Sequence, residues 1–141
     1  MALPRKLTNE DYSRLLEFRT AIRKFLKYSK NQAMEVGLTP TQHQLLLAIR
    51  GHRSEGGPTI GDIANCLLIR HHSAVGLVDR AEAAGFVQRR QDPVDQRIVR
   101  LGLTGSGASK LERISQANLA EVGRLGPEFQ RVWRAIDRLS G

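Results

Sequence analysis

At 141 residues, with 40% hydrophobic and 26% charged side chains, the chain is sized for one folded domain and too apolar to be disordered. A formal net charge of +8 points to a polyanionic partner, with nucleic acid ahead of an anionic membrane, and a single cysteine excludes an intrachain disulfide. Only 5% of residues are aromatic, so the core must come from Leu, Ile, Val and Ala, a composition that favours helices.

The N-terminus, Met1 to Lys6, has no apolar stretch after its charges and does not read as a secretory signal. No apolar run approaches the roughly 20 residues of a membrane helix. A soluble, cytoplasmic protein is expected, in keeping with its lone thiol.

From about Thr8 to Glu35 the spacing predicts a long helix, with Leu15, Phe18, Ile22 and Phe25 on one stripe and Leu26 beside them. Arg19, Arg23, Lys27 and Lys30 fall on another face, with Lys24 nearby, and are expected to be solvated. So long an amphipathic helix in so small a chain needs a partner, which suggests a dimer. Gly37 ends it. Thr39-Pro40-Thr41-Gln42 then spells a capping box with proline at the first helical position, opening a second helix that ends near Gly51. The stretch from Gly51 to Pro58 is a loop.

Thr59 caps a short third helix from Ile60 to about Leu68, with Asp62 in its first turn. A fourth runs from about His71 to Ala84 and stops at Gly85. Two segments of alternating polarity follow, Phe86 to Arg90 and Arg97 to Leu103, joined over Asp92-Pro93-Val94-Asp95, and predict a hairpin. Thr104 caps a fifth helix through Leu111, Ile114 and Val122. Gly126-Pro127 is expected to break the chain and start a sixth, carrying Phe129, Val132, Trp133, Ile136 and Leu139.

Two short helices followed directly by a basic hairpin make a winged helix-turn-helix. The major groove, about 12 Å wide, admits one helix, and that helix's N-terminal residues meet the base edges. Here those residues are Arg70, His71, His72 and Ser73, each able to hydrogen-bond a base or a phosphate. Ala74, Leu77, Val78 and Ala81 lie on the opposite face and pack inward. Gly76 is costly in mid-helix, which either a close approach to DNA or a crowded helix contact explains.

In this order, Ile63-Ala64, Ala74 to Asp79, Gly85-Phe86-Val87, Asp95-Gln96-Arg97 and Leu103-Thr104 resemble the MarR family of bacterial regulators. The family's wing signature is Asp-x-Arg, a strand, then Leu-Thr opening the next helix. Two features depart from the family pattern: Arg70-His71-His72 replaces the usual Ser, Pro or Thr, and Ala81 stands where leucine is common.

The resemblance implies a mainly α fold with a β-hairpin wing and a single domain over residues 5–141. Residues 5–36 and 105–141 would form the dimerisation region and 38–104 the DNA-binding lobe. It implies a homodimer on a palindromic DNA operator, a ligand-responsive repressor, with a small aromatic or anionic effector as a further partner. Leu15, Phe18, Ile22, Phe129, Val132, Trp133 and Ile136 are the expected dimer contacts. Arg97 would reach the minor groove or its phosphates, oriented by Asp95, while Arg89 and Arg90 hold phosphates. Arg100 is expected to share that role.

Other chemistry finds little support. His71 and His72 point about 100° apart on a helix, and no further ligand joins them, so neither a metal nor any other cofactor is expected. His43 and His52 read as capping and loop residues, and Cys66 as a small buried core residue rather than a redox switch. No nucleophile with its base, carboxylate pair or phosphate loop suggests an enzyme. A nonspecific nucleic-acid binder remains the rival to a sequence-specific regulator.

Overall fold

The computed structural model describes residues 5–140; residues 1–4 and the side chain of Leu139, on which two of the expectations above rest, lie outside the described residues. In chain order the elements are α1 (Asn9–Glu35), α2 (Pro40–Gly51), α3 (Ile60–Leu67), α4 (His71–Ala83), β1 (Val87–Gln91), β2 (Val99–Leu103) and α5 (Gly105–Ser140). They fall into two compact units, one of Ala33–Ser115 and one made by α1 up to Gln32 with α5 from Gln116. The expected architecture, mainly α with a two-stranded antiparallel wing, is what the chain adopts.

Caps fix the short helices of the first unit. Thr39 and Gln42 close a reciprocal capping box at α2, and Thr59 and Asp62 do the same at α3. Asp62 therefore acts through hydrogen bonds to the cap rather than through the helix dipole alone, and those bonds hold its carboxyl below the usual range. Thr104 receives the Gly107 amide at 3.1 Å and starts α5. Gly37 and Gly85, both at positive φ (+80° and +84°), end α1 and lead out of α4 in the backbone region that glycine enters without steric cost.

Leu45 and Leu46 of α2, Ile63 of α3, Val78 of α4, Val87 of β1 and Leu101 of β2 are fully or almost fully buried and meet in one core. Ala33 at the end of α1 and Leu111 and Ile114 of α5 belong to the same cluster. The wing pairs Val87 with Leu103 and Gln91 with Val99, and the Leu101 amide reaches back to the Pro58 carbonyl at 2.8 Å.

Three expectations need correction. Cys66 is exposed, not buried: the inward face of α3 is Ile63 and Ala64, flanked by Ile60 and Leu67, and position 66 turns away from it. His43 does no capping. It sits inside α2 at 6% exposure with Nε2 unpaired, and burial pushes its pKa down from the ordinary value. His52, by contrast, is the C-cap of α2, as a loop-edge residue should be.

The third correction concerns Pro127, which lies inside one continuous α5. A proline in mid-helix costs about 3 kcal/mol, through a lost hydrogen bond and a clash with the preceding turn. Leu125 and Val132 flank it at 6% and 1% exposure, and with Asn118 they recur every seven residues. Burying two such side chains is worth about 1.5–3 kcal/mol each. Because the inward stripe stays in phase through the proline, continuing the helix costs less than breaking it. Asn118 in turn donates to Ser29, a buried hydroxyl of α1, at 3.0 Å.

The sequence reading missed how α1 begins. Thr8 and Asp11 cap each other, and Arg5 grips Asp11 through two hydrogen bonds of 2.6 and 2.7 Å. The Arg5 guanidinium holds the Asp11 carboxyl well below the usual carboxylate range.

Leu68, between α3 and α4, has φ +56°, the left-handed region, and is 91% exposed. A left-handed L-residue costs roughly 1–2 kcal/mol, and so exposed a side chain returns little through packing. Replacing Leu68 by Gly should raise stability by about 1 kcal/mol, less the extra freedom of an unfolded glycine. A higher urea midpoint at constant slope is the expected result, and an unchanged or lower midpoint would show that Leu68 stabilises the turn through contacts.

Candidate nucleic-acid interface

The helix-turn-helix presents one face of α4 to solvent because the other is committed. Ala74, Leu77, Val78 and Ala81 are buried at 0–6% exposure. Their spacing of three and four residues leaves His71, His72, Ser73, Asp79 and Arg80 on the outside. Arg70 is the N-cap, with extended backbone and no side-chain capping bond. Arg70, His71, His72 and Ser73 thus form a contiguous exposed set at the helix start. Ala81 is fully buried, so the smaller side chain at this position is accommodated within the core.

Gly76 lies on the outward side of α4. A Cβ placed there would meet only Nη1 of Arg80, at 3.3 Å, the mobile end of a long side chain. No crowded helix contact accounts for the glycine. What it does is keep the outer surface of α4 low, with the Arg80 guanidinium beside it.

The wing turn is organised by two carboxylates. Asp92 Oδ1 accepts the amides of Val94 and Asp95 at 2.8 and 3.0 Å, while its Oδ2 accepts Arg100 Nε at 3.1 Å. Asp95 accepts the Arg97 amide at 3.1 Å and also Nε and Nη2 of the same residue, both at 3.0 Å. These bonds hold both carboxyls below their ordinary pKa. Arg97 is oriented by this bidentate pairing yet remains 90% exposed, free to present the rest of its guanidinium outward.

The other basic wing residues divide into two groups. Arg90 is exposed. Arg89, on the same strand, is tied to α4 through Asp79 at 2.6 Å and Glu82 at 2.7 Å. Its donors brace the wing against α4. Arg100 is similarly engaged, between Asp92 and the Gly57 carbonyl, each at 3.1 Å. Arg80 escaped the sequence reading, although its place four residues beyond Gly76 puts it on the same outward side. Ser73 and Arg80 also line a cleft of about 200 Å³ with Thr41 and Gln44 of α2.

The charge is distributed unevenly. Ala33–Ser115 carries ten Lys and Arg against eight Asp and Glu, a net +2, whereas the helical remainder carries twelve against six, a net +6. The basic balance of the chain therefore belongs mainly to the helical arms, above all to Arg19, Arg23, Lys24, Lys27 and Lys30, all exposed on α1. Among the described residues no group of histidines, cysteines and carboxylates is arranged to hold a metal ion, and no helix is long and apolar enough to cross a membrane.

Comparison with known proteins places this geometry. Residues 36–98 match the model of the MarR family. The chain is 27% identical over 117 residues to the uncharacterized HTH-type transcriptional regulator YkoM of Bacillus subtilis, covering 80% of this chain and 74% of that protein. It is 26% identical over 88 residues to the HTH-type transcriptional repressor MdtR of the same organism, covering 62% and 55% of the two chains. Its fold matches a mutant of S. aureus MepR bound to an oligodeoxyribonucleotide, with a TM-score of 0.64, 23% identity, and coverage of 96% of this chain and 98% of that one.

The depressed carboxyls make the wing turn acid-sensitive. Their hydrogen bonds are fully present above the ordinary Asp pKa of about 3.9 and are lost as pH falls through the lowered folded-state values. Amide exchange at Val94 and Asp95 should quicken only below about pH 4. Asp92→Ala should reproduce that loosening at neutral pH without affecting the amides of α4. Protection unchanged in the variant would mean that the backbone alone holds the turn.

Proposed function

We propose that this chain is a regulator of the MarR family, a sequence-specific DNA-binding protein that controls transcription as a homodimer on a palindromic operator. The observation that carries the reading is the exposed start of α4, Arg70 to Ser73, set beside a wing whose Asp95 aims an exposed Arg97. In this reading α4 enters the major groove, and its N-terminal side chains read base edges. Gly76 lets the helix approach closely, with Arg80 beside it. Arg97 reaches the adjacent minor groove or its phosphates, and Arg90 holds the backbone. Arg89 serves the same surface indirectly, by fixing the wing against α4. Residues 38–104 then act as the DNA-binding lobe.

Residues 5–36 and 105–141 serve as the dimerisation arms. Trp133 is 62% exposed and, with Phe18 and Phe129, lines an open groove of about 470 Å³ within the helical unit. Leu15 is 51% exposed on the same arm of α1. So much large apolar surface on one chain is what a second copy would cover. Phe18, Ile22, Phe129 and Ile136 are half-buried already, and Val132 is almost wholly inside its own chain. Val132 therefore shapes the arm instead of meeting the partner.

A nonspecific binder is the less favoured reading. Such a protein depends on a strongly cationic contact surface, and the winged-helix unit here is only +2. Repression follows if the operator overlaps a promoter, and release by a small aromatic or anionic effector completes the regulator, working in the cytoplasm where DNA is reached.

The decisive experiment is binding to the DNA flanking the chain's own gene, with scrambled competitor and a salt titration. A footprint of half-sites about 10 bp apart is expected. Equal affinity for every sequence would favour the nonspecific reading, and absence of binding would overturn both. In the same assay Arg97→Ala should weaken binding about tenfold. If the lost contact is a phosphate, the salt slope should also fall by about 0.9. Sedimentation should give twice the chain mass, and Trp133→Glu should return it to the monomer value.

A further inference from the structure

The winged-helix unit holds a second cleft, apart from the surface assigned to DNA. It has a volume of about 410 Å³ and lies between the end of α2, the loop that follows it, β2 and the start of α5. That volume is in the range of small-molecule sites, about 300–1,000 Å³. Its walls are of two kinds. Ile49, Leu101 and Leu103 are apolar, while Arg50, His52 and Ser54 are polar, and none of the lining residues is acidic.

Two side-chain atoms of those walls, Nδ1 of His52 and Oγ of Ser54, are buried without a hydrogen-bond partner. Buried polar groups in folded proteins are nearly always paired, so an unpaired one calls for a further partner. Arg50 is exposed at the cleft and makes none of the ion pairs found among the described residues. A cation and two hydrogen-bonding groups beside an apolar wall suit a ligand with a charged head and a short apolar body.

We propose that this cleft binds a small organic anion, its carboxylate on Arg50 with hydrogen bonds from His52 and Ser54, and its apolar body against Ile49, Leu101 and Leu103. The proposal deepens the effector-responsive reading given above and rests on it.

The cleft is joined to the wing by a chain of hydrogen bonds. Gly57, another of its walls, offers its carbonyl to Arg100 Nη1 at 3.1 Å, and Arg100 Nε reaches Asp92 at 3.1 Å. Asp92 in turn holds the amides of Val94 and Asp95, and Asp95 holds Arg97. Gly57 has little room for slack: at φ +99°, a Cβ there would lie 2.5 Å from the Leu101 carbonyl oxygen. A ligand that displaces this loop moves the carbonyl on which Arg100 rests, and the aim of Arg97 changes with it. Because the coupling is an equilibrium one, operator DNA must weaken anion binding by the same factor by which the anion weakens DNA binding.

Benzoate is a suitable probe. Calorimetry on the full chain, with amide shifts at His52, Leu103 and Ala108, should report one site per chain. Arg50→Gln, a surface change that leaves the core intact, should weaken benzoate binding about tenfold, and Ser54→Ala about threefold. Benzoate should reduce operator affinity in the wild type, and operator should reduce benzoate affinity equally. Arg100→Gln should keep benzoate affinity within about twofold while its DNA binding no longer responds.

Each alternative result is informative. No binding up to about 10 mM benzoate, or equal binding by Arg50→Gln, overturns the cleft as the site. If benzoate releases DNA equally well from Arg50→Gln, the regulator is responsive but through another site. Binding in the cleft with no effect on operator affinity overturns the coupling.

Discussion

The burial of four small or medium side chains, Ala74, Leu77, Val78 and Ala81, sets the rotation of α4 about its own axis, and the outward surface proposed for DNA depends on that rotation. With those positions pressed onto a core that includes Leu45, Leu46 and Ile63, the helix cannot turn without exposing about 1.5–3 kcal/mol of apolar surface per large side chain. The outward set is therefore fixed as a complement. Arg70, His71, His72 and Ser73 need no interactions of their own to be held outward. Chemistry at the outward face is free to vary as long as the hidden face remains apolar, which fits a chain whose helix start departs from the pattern of the family it resembles.

Around this helix the structure separates cations that position from cations that present. Arg89 and Arg100 spend their donors on Asp79, Glu82, Asp92 and the Gly57 carbonyl. Arg70, Arg90 and Arg97 keep donors directed to solvent, although Arg97 is first oriented by Asp95. The near balance of charge in the winged-helix unit follows from this division, since each positioning arginine brings its acids with it. Under the proposed function such a surface would discriminate by placement more than by attraction.

Much of the fold was legible in the sequence because it is written in local chemistry. Thr39 to Gln42, Thr59 and Thr104 are caps whose geometry depends on a few neighbouring residues, and the wing alternates polarity at strand period. The outward residues of α4 followed from one helical period. The Pro127 break failed because a local rule was outweighed by burial of Leu125 and Val132, which local pattern cannot weigh. Cys66 and His43 failed similarly: the helices were recognised, but their inward faces were not drawn closely enough to place these positions. Nothing in the spacing of Arg89 and Arg100 distinguished them from Arg90, because their acids lie on other elements, up to ten residues away, and the Gly57 carbonyl lies 43 away. The cleft at the root of the wing was invisible for the same reason.

That difference in separation has a consequence for the chain entropy of folding. The joint between α4 and β1 closes loops of seven and ten residues through Glu82, Asp79 and Arg89. The contact of Arg100 with Gly57, and that of Leu101 with Pro58 beside it, closes a loop of 43 residues. The entropy lost on closing a loop grows with its length. The contacts that join α4 to the first strand of the wing are therefore cheap to close in chain entropy, and those that dock the α2–α3 loop onto β2 cost more. The seam offsets that cost by burial, since Pro58 and Leu101 both lie in the interior where their hydrogen bond is shielded from water.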